Sequence, residues 1–280
     1  MFDTPEPISA TVHIEVGAAR ITAGDRAETV VEVYPGSDDS KADTRAAELT
    51  RVEYAGGRLL VKAPKGPTPL SDPGAVHVEI ALPRGSRLDG TAGRGDFTCE
   101  GPLGECSLKV TAGDIVLDEA GAVRLRTQHG DITVGRAAGD AEVTTGSGEV
   151  RIGEIVGTAE IKSSNGNAWI DDVAGELRLR VANGNVFVGR AHGAVSSKAA
   201  NGSTRIHEVI RGTVELQTQA GDFEVGIHPG TAAWLDINSR AGSVHTSLGA
   251  ADGPGECAET VEVRARTVLG DIVIRRAYRS

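Results

Sequence analysis

Aromatic residues, cysteines and long apolar runs are all scarce in this sequence. Phe, Trp and Tyr together make up 3% of the 280 residues, so the core must be built from small and β-branched side chains. Such residues suit thin, regular layers better than a bulky globular centre. Basic residues are in the minority, and the formal net charge of −10 disfavours general nucleic-acid binding, which depends on neutralising phosphates.

The few cysteines and the N-terminus bear on the cellular compartment. Cys99, Cys106 and Cys257 are odd in number and form no CxxC motif, so we expect reduced cysteines acting as small hydrophobes. The opening residues, MFDTPEPISA, contain neither the basic nor the apolar segment of a signal peptide. No run approaches the roughly 18 apolar residues of a membrane span. We therefore expect a cytoplasmic protein without a membrane span.

No recognisable catalytic motif is present. The sequence has no GxSxG, its 7 histidines show no HxH or HExxH spacing, and no helix is expected after its glycines. We therefore predict that the chain is not an enzyme and has no catalytic, cofactor-binding or metal-binding residue.

Glycine is abundant, with 37 residues, and it recurs at regular intervals. Each repeat begins with Gly, a small polar residue and an apolar-x-apolar triplet, as in GDIVL and GNVFV. The copies begin at Gly95, Gly113, Gly130, Gly148, Gly166, Gly184, Gly202, Gly221, Gly242 and Gly270. A second alternating run, such as TAEIKS, follows in several copies, and alternation predicts strands.

The dipeptide Asn-Gly, at Asn165, Asn183 and Asn201, decides between two folds. A single Asn-Gly predicts a hairpin, and a meander or sandwich of hairpins is the alternative. A constant spacing of 18 residues instead favours one corner of a coil, since stacked coils place like residues in ladders about 4.8 Å apart. We predict an all-β, single-stranded parallel β-helix (β-solenoid) with coils of ~18 residues, in which these asparagines stack and tolerate a left-handed backbone.

The chain is expected to form one continuous domain with two regions. Residues 1–90 form an N-terminal β region, comprising a cap and the first coils, and residues 91–280 form the solenoid repeat region. Strands are predicted at TVHIEV, ETVVEVY, RLLVKA and VHVEIALP, and a short helix at SKADTRAAEL. Near the C-terminus, GAADGPGECAE predicts a surface loop, and the charges of RRAYRS are expected to protect the second sheet edge.

Counting from the repeat Gly as position zero, positions +2, +4, +11, +13 and +15 are predicted to face inward. Two outward columns are candidate sites. At +3 lies a possible interaction patch, Arg151, Trp169, Phe187 and Arg205, which is either cross-strand stacking or a contact for a partner or a sugar. At +14 lies a possible basic column, Lys109, Arg126, Lys162, Arg180 and Lys198, interrupted by Thr144. Arg126 is shifted by one position because its unit has 17 residues.

The basic column is either a solvated face, paired with Glu142 and Glu160 at +12, or a track for an acidic protein or an anionic polymer. A third column, at +1, is acidic: Asp96, Asp114, Asp131 and Glu149. Asp is common after Gly because its side chain caps turns, while a Ca²⁺ site or a general acid–base pair is the functional alternative.

The GD(I/V)xV copies, with the lead-in EYAGGRLLVKAP … VHVEIALPRGSRLDG, resemble a bacterial β-strand-repeat family of unknown function labelled "putative adhesin". The segments AEVTTGSGEVRIGEI and TVEVRARTVLGDIVIRRA are similar to its actinobacterial, cytoplasmic-looking members. The resemblance implies a β-solenoid and no defined activity.

These observations predict a non-enzymatic interaction or scaffold protein with an unknown protein partner and no cofactor. Two alternatives stay open. One is a self-assembling filament, by analogy with bactofilin-like cytoskeletal β-helices of similar coil length. The other is a carbohydrate-binding or carbohydrate-active β-helix built around the acidic column.

Overall fold

The computed structural model describes residues 1–66, 73–249 and 259–277, nearly all of them in strands. The chain divides into two compact units, residues 1–139 and 140–280. Both are built from coils of parallel strands, which confirms the predicted β-solenoid.

Among its described residues, the first unit contains eleven strands and one helix. They are β1 (Phe2–Asp3), β2 (Ser9–Gly24), β3 (Glu28–Pro35), α1 (Lys41–Leu49), β4 (Arg51–Ala55), β5 (Arg58–Lys62), β6 (Val76–Pro83), β7 (Arg87–Leu103), β8 (Cys106–Ala112), β9 (Ile115–Ala120), β10 (Val123–His129) and β11 (Ile132–Ala137).

The part of the second unit that the structure describes contains fourteen strands. They are β12 (Ala141–Ser147), β13 (Val150–Ile155), β14 (Ala159–Asn165), β15 (Ala168–Val173), β16 (Leu177–Asn183), β17 (Val186–Ala191), β18 (Val195–Asn201), β19 (Thr204–Val209), β20 (Gly212–Ala220), β21 (Phe223–Ile227), β22 (Thr231–Ala241), β23 (Val244–Thr246), β24 (Glu259–Leu269) and β25 (Ile272–Arg276).

Strand pairing decides between the coil and the hairpin. In the second unit β14 pairs in parallel with β16 and β16 with β18, while β15 pairs with β17 and β17 with β19. Each pairing is offset by one repeat, so Asn183 lies between Asn165 and Asn201. Asn-Gly is therefore one corner of a coil, as the period predicted.

The inward positions are also confirmed. In the inner coils most residues at +2, +4, +11, +13 and +15 are buried, for example Val186, Val188 and Leu179, whereas Val244 at +2 in β23 is exposed. The prediction missed a sixth inward position, +7, where Ile155 and Val173 are fully buried. The ladder between β13 and β15 skips +5, so the alternation changes there and +7 faces inward again. The apolar residue that recurs at +7 in the sequence is the signal for this position.

The corner glycine is required for two reasons. Gly184 has a φ of +144°, a region that L side chains rarely adopt. A Cβ atom added to it would lie 2.1 Å from the carbonyl oxygen of Gly166 in the preceding coil. No described residue other than glycine has a positive φ, so the glycine, and not the asparagine before it, adopts the left-handed backbone at this corner.

In the first unit the coils do not follow chain order. β2 lies between β7 on one side and β5 and β6 on the other, and Gly17 is level with Gly95. Gly17 is thus an extra copy of the corner that the repeat search missed, because Ala18 occupies the position at which the other copies have a polar residue.

Antiparallel strands and a helix cover the outermost coil of the first unit. β3 pairs antiparallel with β6, and β4 with β5. The predicted helix is α1, capped by Ser40, whose Oγ accepts a hydrogen bond from the Asp43 N–H at 3.3 Å. Its Ala46 is buried. Together, β3, β4 and α1 cover the side of β5 and β6 that would otherwise be exposed to solvent.

In the second unit, the last strands of the chain lie inside the stack. β24 pairs with β20 on one side and β22 on the other, and β25 pairs with β21 and β23. The outermost coil is therefore β22 and β23. The expectation that RRAYRS protects the edge was wrong, since Arg275 and Arg276 belong to the inner strand β25. Residues 250–258 of the predicted loop, and 278–280, lie outside the described residues.

Predictions were also made for the cysteines and for membrane-spanning segments. Cys99 and Cys106 are free and buried, whereas Cys257 lies outside the described residues. Across residues 1–66, 73–249 and 259–277, the structure contains no helix that is long and apolar enough to cross a membrane.

Candidate functional site

The predicted patch at +3 forms a continuous stack on four neighbouring strands of the second unit, which we call the aromatic–arginine stack. The rings of Trp169 and Phe187 lie 5.5 Å apart, centroid to centroid, with 9° between their planes. The guanidinium carbon of Arg151 lies 5.0 Å from the Trp169 ring centre, and that of Arg205 lies 6.0 Å from the Phe187 ring centre. The register brings these four side chains together as predicted.

Both faces of each ring in this stack are already occupied. Trp169 has Arg151 on one face and Phe187 on the other, and Phe187 has Trp169 and Arg205. A sugar ring stacks on a free aromatic face, so this arrangement argues against carbohydrate stacking. A partner would meet ring edges and guanidinium groups instead.

The ends of the stack are held by carboxylates. Arg151 pairs with Glu149, and Arg205 donates to Glu224 at 2.5 Å. Glu224 also accepts from Arg275 at 3.0 Å. Burial alone would raise the pKa of Glu224, but the hydrogen bonds from Arg275 and Arg205 outweigh it and lower that pKa. The positive charges at the two ends of the stack are therefore already paired with carboxylates of the same chain.

In the second unit, ion pairs neutralise only part of the basic column. Strand pairing places Lys162, Arg180 and Lys198 side by side. Lys162 forms an ion pair with Glu160 at 2.9 Å, whereas the side chains of Arg180 and Lys198 have no ion pair or hydrogen bond with any other residue that the structure describes. The difference follows from position +12, which is Glu160 beside Lys162 but Arg178 beside Arg180 and Ser196 beside Lys198.

A shallow open groove of about 410 Å³ runs beside these three cations, and we call it the basic groove. Its outward lining also includes Thr144 and the small residues Ser164 and Ala182, both exposed. Because the +16 side chains are short, the long +14 side chains stand above them. The sequence analysis identified the cations but not the small residues that create the groove.

The other members of the basic column differ from these three. In the first unit Arg126 lies beside Lys109. In the second unit the column continues beyond the predicted residues to Gln217 and Arg266. Arg266 donates to Asp236 at 2.8 Å, so this end of the column is neutralised.

The acidic column at +1 is used by the backbone. In the first unit Asp96 Oδ1 accepts from the Asp114 N–H, and Asp114 Oδ1 accepts from the Asp131 N–H, each at 2.8 Å. Glu149 pairs with Arg151. The geometry favours the turn-capping interpretation over a Ca²⁺ site or an acid–base pair. Within the described ranges there is no group of three His, Cys, Asp or Glu side chains that could hold a metal ion.

A separate ion network surrounds Glu208. His228 Nδ1 lies 2.7 Å from its Oε1, and Arg190 Nε donates to its Oε2 at 2.9 Å. Burial would raise the pKa of Glu208, but the hydrogen bonds from His228 and Arg190 lower it. The network joins neighbouring coils and contains no free nucleophile.

The family model for Toastrack DUF4097 matches residues 62–275. Three solved structures align with the chain at 12% identity. A "putative cell adhesion protein" from Clostridium sporogenes covers 99% of this chain and 97% of its own, with a TM-score of 0.25. A "putative adhesin" from Parabacteroides merdae covers 80% and 93%, with a TM-score of 0.46. Another, from Bacteroides fragilis, covers 98% and 94%, with a TM-score of 0.38. No curated protein matches the chain.

Proposed function

The chain belongs to the Toastrack DUF4097 family, and we propose that this member is a non-enzymatic interaction module that binds a short acidic segment of a partner protein in the basic groove. The observation that carries the proposal is the pair of unpartnered cations, Arg180 and Lys198, on neighbouring strands beside the groove. We keep the cytoplasmic, actinobacterial assignment as a prediction.

The surrounding charge favours a short peptide over a long polyanion. The whole chain carries a net charge of −10, so a long anionic polymer leaving the groove meets an acidic surface. The three cations span roughly 10 Å at the ladder spacing of about 4.8 Å. In an extended peptide this distance separates carboxylates about three residues apart.

The test uses a short fluorescent peptide of alternating glutamate and threonine, with glutamine in place of glutamate as the control. We expect Arg180→Gln with Lys198→Gln to weaken binding about tenfold or more, and added salt to weaken binding to the unaltered chain. The matched control is Arg190→Gln with Arg264→Gln, which removes two positive charges that are bonded to Glu208 and Glu262. Equal binding to both double variants, or no binding to the unaltered chain, contradicts the proposal.

The aromatic–arginine stack is a second candidate contact, because Arg151 and Arg205 are exposed at its two ends. Its test is Trp169→Ser with Phe187→Ser in the folded chain. If capture of an identified partner is unchanged by this double variant and lost with Arg180→Gln and Lys198→Gln, the stack only stabilises the coils.

A further inference from the structure

The outermost coil of the second unit has an unpaired backbone edge. β22 pairs with β24 on one side, and among the residues that the structure describes no strand pairs with its other side. The Gly270 N–H donates to the Ala241 carbonyl at 3.1 Å, so Ala241 directs its backbone groups inward. The ladder with β24 skips Arg240, so the alternation changes there. Residues whose side chains face inward donate their N–H groups to the next coil, as Ile272 does to Ser243. The inward-facing Leu235, Ile237 and Ser239 of β22 therefore direct their backbone groups to the open edge. A long edge of this kind is a template for another strand.

Apolar side chains are exposed at the same place. Val244 in β23 is 43% exposed, although Ile272, in the same column one coil further in, is fully buried. Leu235 and Ile237 of β22 are half-buried, whereas their neighbours in β24 are fully buried. Trp234 is 72% exposed. The end of the stack therefore presents both open backbone and apolar surface.

We propose that this edge pairs with a second copy of the chain, β22 against β22 in antiparallel orientation, about a two-fold axis at Ile237. The residues of β22 whose side chains face outward determine the register of this pairing. It places Trp234 opposite Arg240 of the second copy, and Asp236 opposite Asn238 of the second copy. The inward faces bring the two Ile237 side chains together.

The pattern of the strand is self-complementary in this register. The Arg240 side chain is exposed and makes no ion pair or hydrogen bond with another described residue, and Trp234 is the most exposed aromatic side chain on the strand. A guanidinium over an indole ring is a favourable cation–π pair, and it forms twice about the axis. The same register places Ile237 opposite Ile237 and Leu235 opposite Ser239 of the second copy, and these are the residues whose backbone groups point to the open edge. The two strands can therefore exchange their free hydrogen bonds.

The dimer is closed, because β22 pairs with β22 about a two-fold axis and both copies use the same edge. The outermost coil of the first unit presents different strands, namely β3, which is antiparallel to β6, and β4, a short strand that carries the exposed pair Arg51 and Glu53. One self-complementary edge gives a two-fold dimer, whereas a filament needs a different edge at each end. This inference is independent of the basic groove.

Sedimentation velocity over about two orders of magnitude in concentration tests the dimer. We expect a reversible monomer–dimer equilibrium that Trp234→Lys shifts to the monomer, because the new lysine faces Arg240 of the second copy. The double variant Trp234→Lys with Arg240→Glu restores an attractive pair and is expected to restore the dimer. Ile237→Pro, which removes the N–H that points to the open edge at the two-fold axis, is also expected to give a monomer with an unchanged circular dichroism spectrum.

The control is Val116→Lys, an equally polar change at an exposed valine of the first unit, which should leave the dimer intact. A chain that is monomeric at every concentration overturns the proposal, as does a filament. A dimer that persists in Trp234→Lys, or that the double variant fails to restore, shows that the register is wrong.

Discussion

The outermost coils of the two units contain the same column of side chains in two different environments. Val78 in β6 and Val244 in β23 both occupy +2, on strands that pair through β2 and β25 with the adjacent coils. Val78 is 1% exposed and Val244 is 43% exposed. The repeat pattern is the same, and the difference comes from the antiparallel strands and helix that cover only the first of these coils.

The position of a coil in the stack, and not the identity of its repeat residues, therefore determines how much that coil contributes to the stability of the fold. A solenoid is stabilised by contacts between neighbouring coils, so a coil with one neighbour has about half of them. The first unit replaces the missing neighbour with β3, β4 and α1. The second unit leaves that side of β22 and β23 open among its described residues.

The largest effect is expected at a corner glycine inside the stack. Gly184→Ala places a Cβ atom 2.1 Å from the Gly166 carbonyl oxygen at a φ of +144°, so we expect unfolding free energy to fall by about 3 kcal/mol or more. Gly242→Ala meets Gly270 at the same distance but lies in the outermost coil, which can shift outward, so its loss should be smaller. Urea denaturation measures both.

The control for this pair is Gly24→Ala, where an added Cβ meets nothing within 4 Å. It should change stability by less than about 0.5 kcal/mol. If Gly242→Ala destabilises the chain as much as Gly184→Ala, the outermost coil is not free to shift.

The next effect compares the two valines directly. Val78→Ala removes two buried carbon groups and should lower unfolding free energy by about 2 kcal/mol. Val244→Ala should cost less than about 1 kcal/mol in the monomer, because its side chain is already partly hydrated. Equal losses, measured in urea at low protein concentration, mean that Val244 is covered in solution.

Much of this architecture could be predicted from the sequence, and the part that could not has a physical cause. The 18-residue period and alternating apolar residues identify the coils, the inward columns and the pairing of Trp169 with Phe187. Both outermost coils, however, lie out of chain order, and no periodic signal records which strand inserts between which neighbours. The order depends on long-range pairing of β2 with β5 to β7, and of β24 with β20 and β22.

The candidate site, too, could be predicted from the sequence only in part. The cations of the basic groove follow from their spacing in the sequence. Whether each is paired depends on its neighbour at +12, and the groove depends on Ser164 and Ala182 at +16. Those residues are small and carry no motif, so they become informative only once the register is known.

A smaller effect concerns the asparagine ladder, which stops short of the open coil. Asn183 Nδ2 donates to Asn165 Oδ1 at 3.1 Å, and Asn201 Nδ2 donates to Asn183 Oδ1 at 2.9 Å. The same column continues as Ala220, Leu269 and Ala241. Asn183→Ala should lower the unfolding free energy by about 1 kcal/mol, while Ala241→Asn, which has no asparagine beside it, should bring no comparable gain. Thermal denaturation of both variants checks this difference.

The smallest effect is a pH dependence within the inner coils. The folded-state pKa of Glu208 lies below its ordinary value of 4.5, so its stabilising contribution is complete above about pH 4.5 and is lost as the pH falls through the folded value. Glu208→Gln should flatten this part of the acid dependence of urea stability. Asp236→Asn, at the exposed pair with Arg266 in the outermost coil, should change it less.

Hydrogen exchange tests the open edge most directly, at a concentration where the chain is monomeric. The structure predicts that the amides of Leu235, Ile237 and Ser239 exchange rapidly, that those of Asp236 and Asn238, which point to β24, exchange more slowly, and that the amides across β6 stay protected. Uniform protection along β22 equal to that of β6 would contradict the account, because it would mean that the outer side of β22 is already paired within one chain.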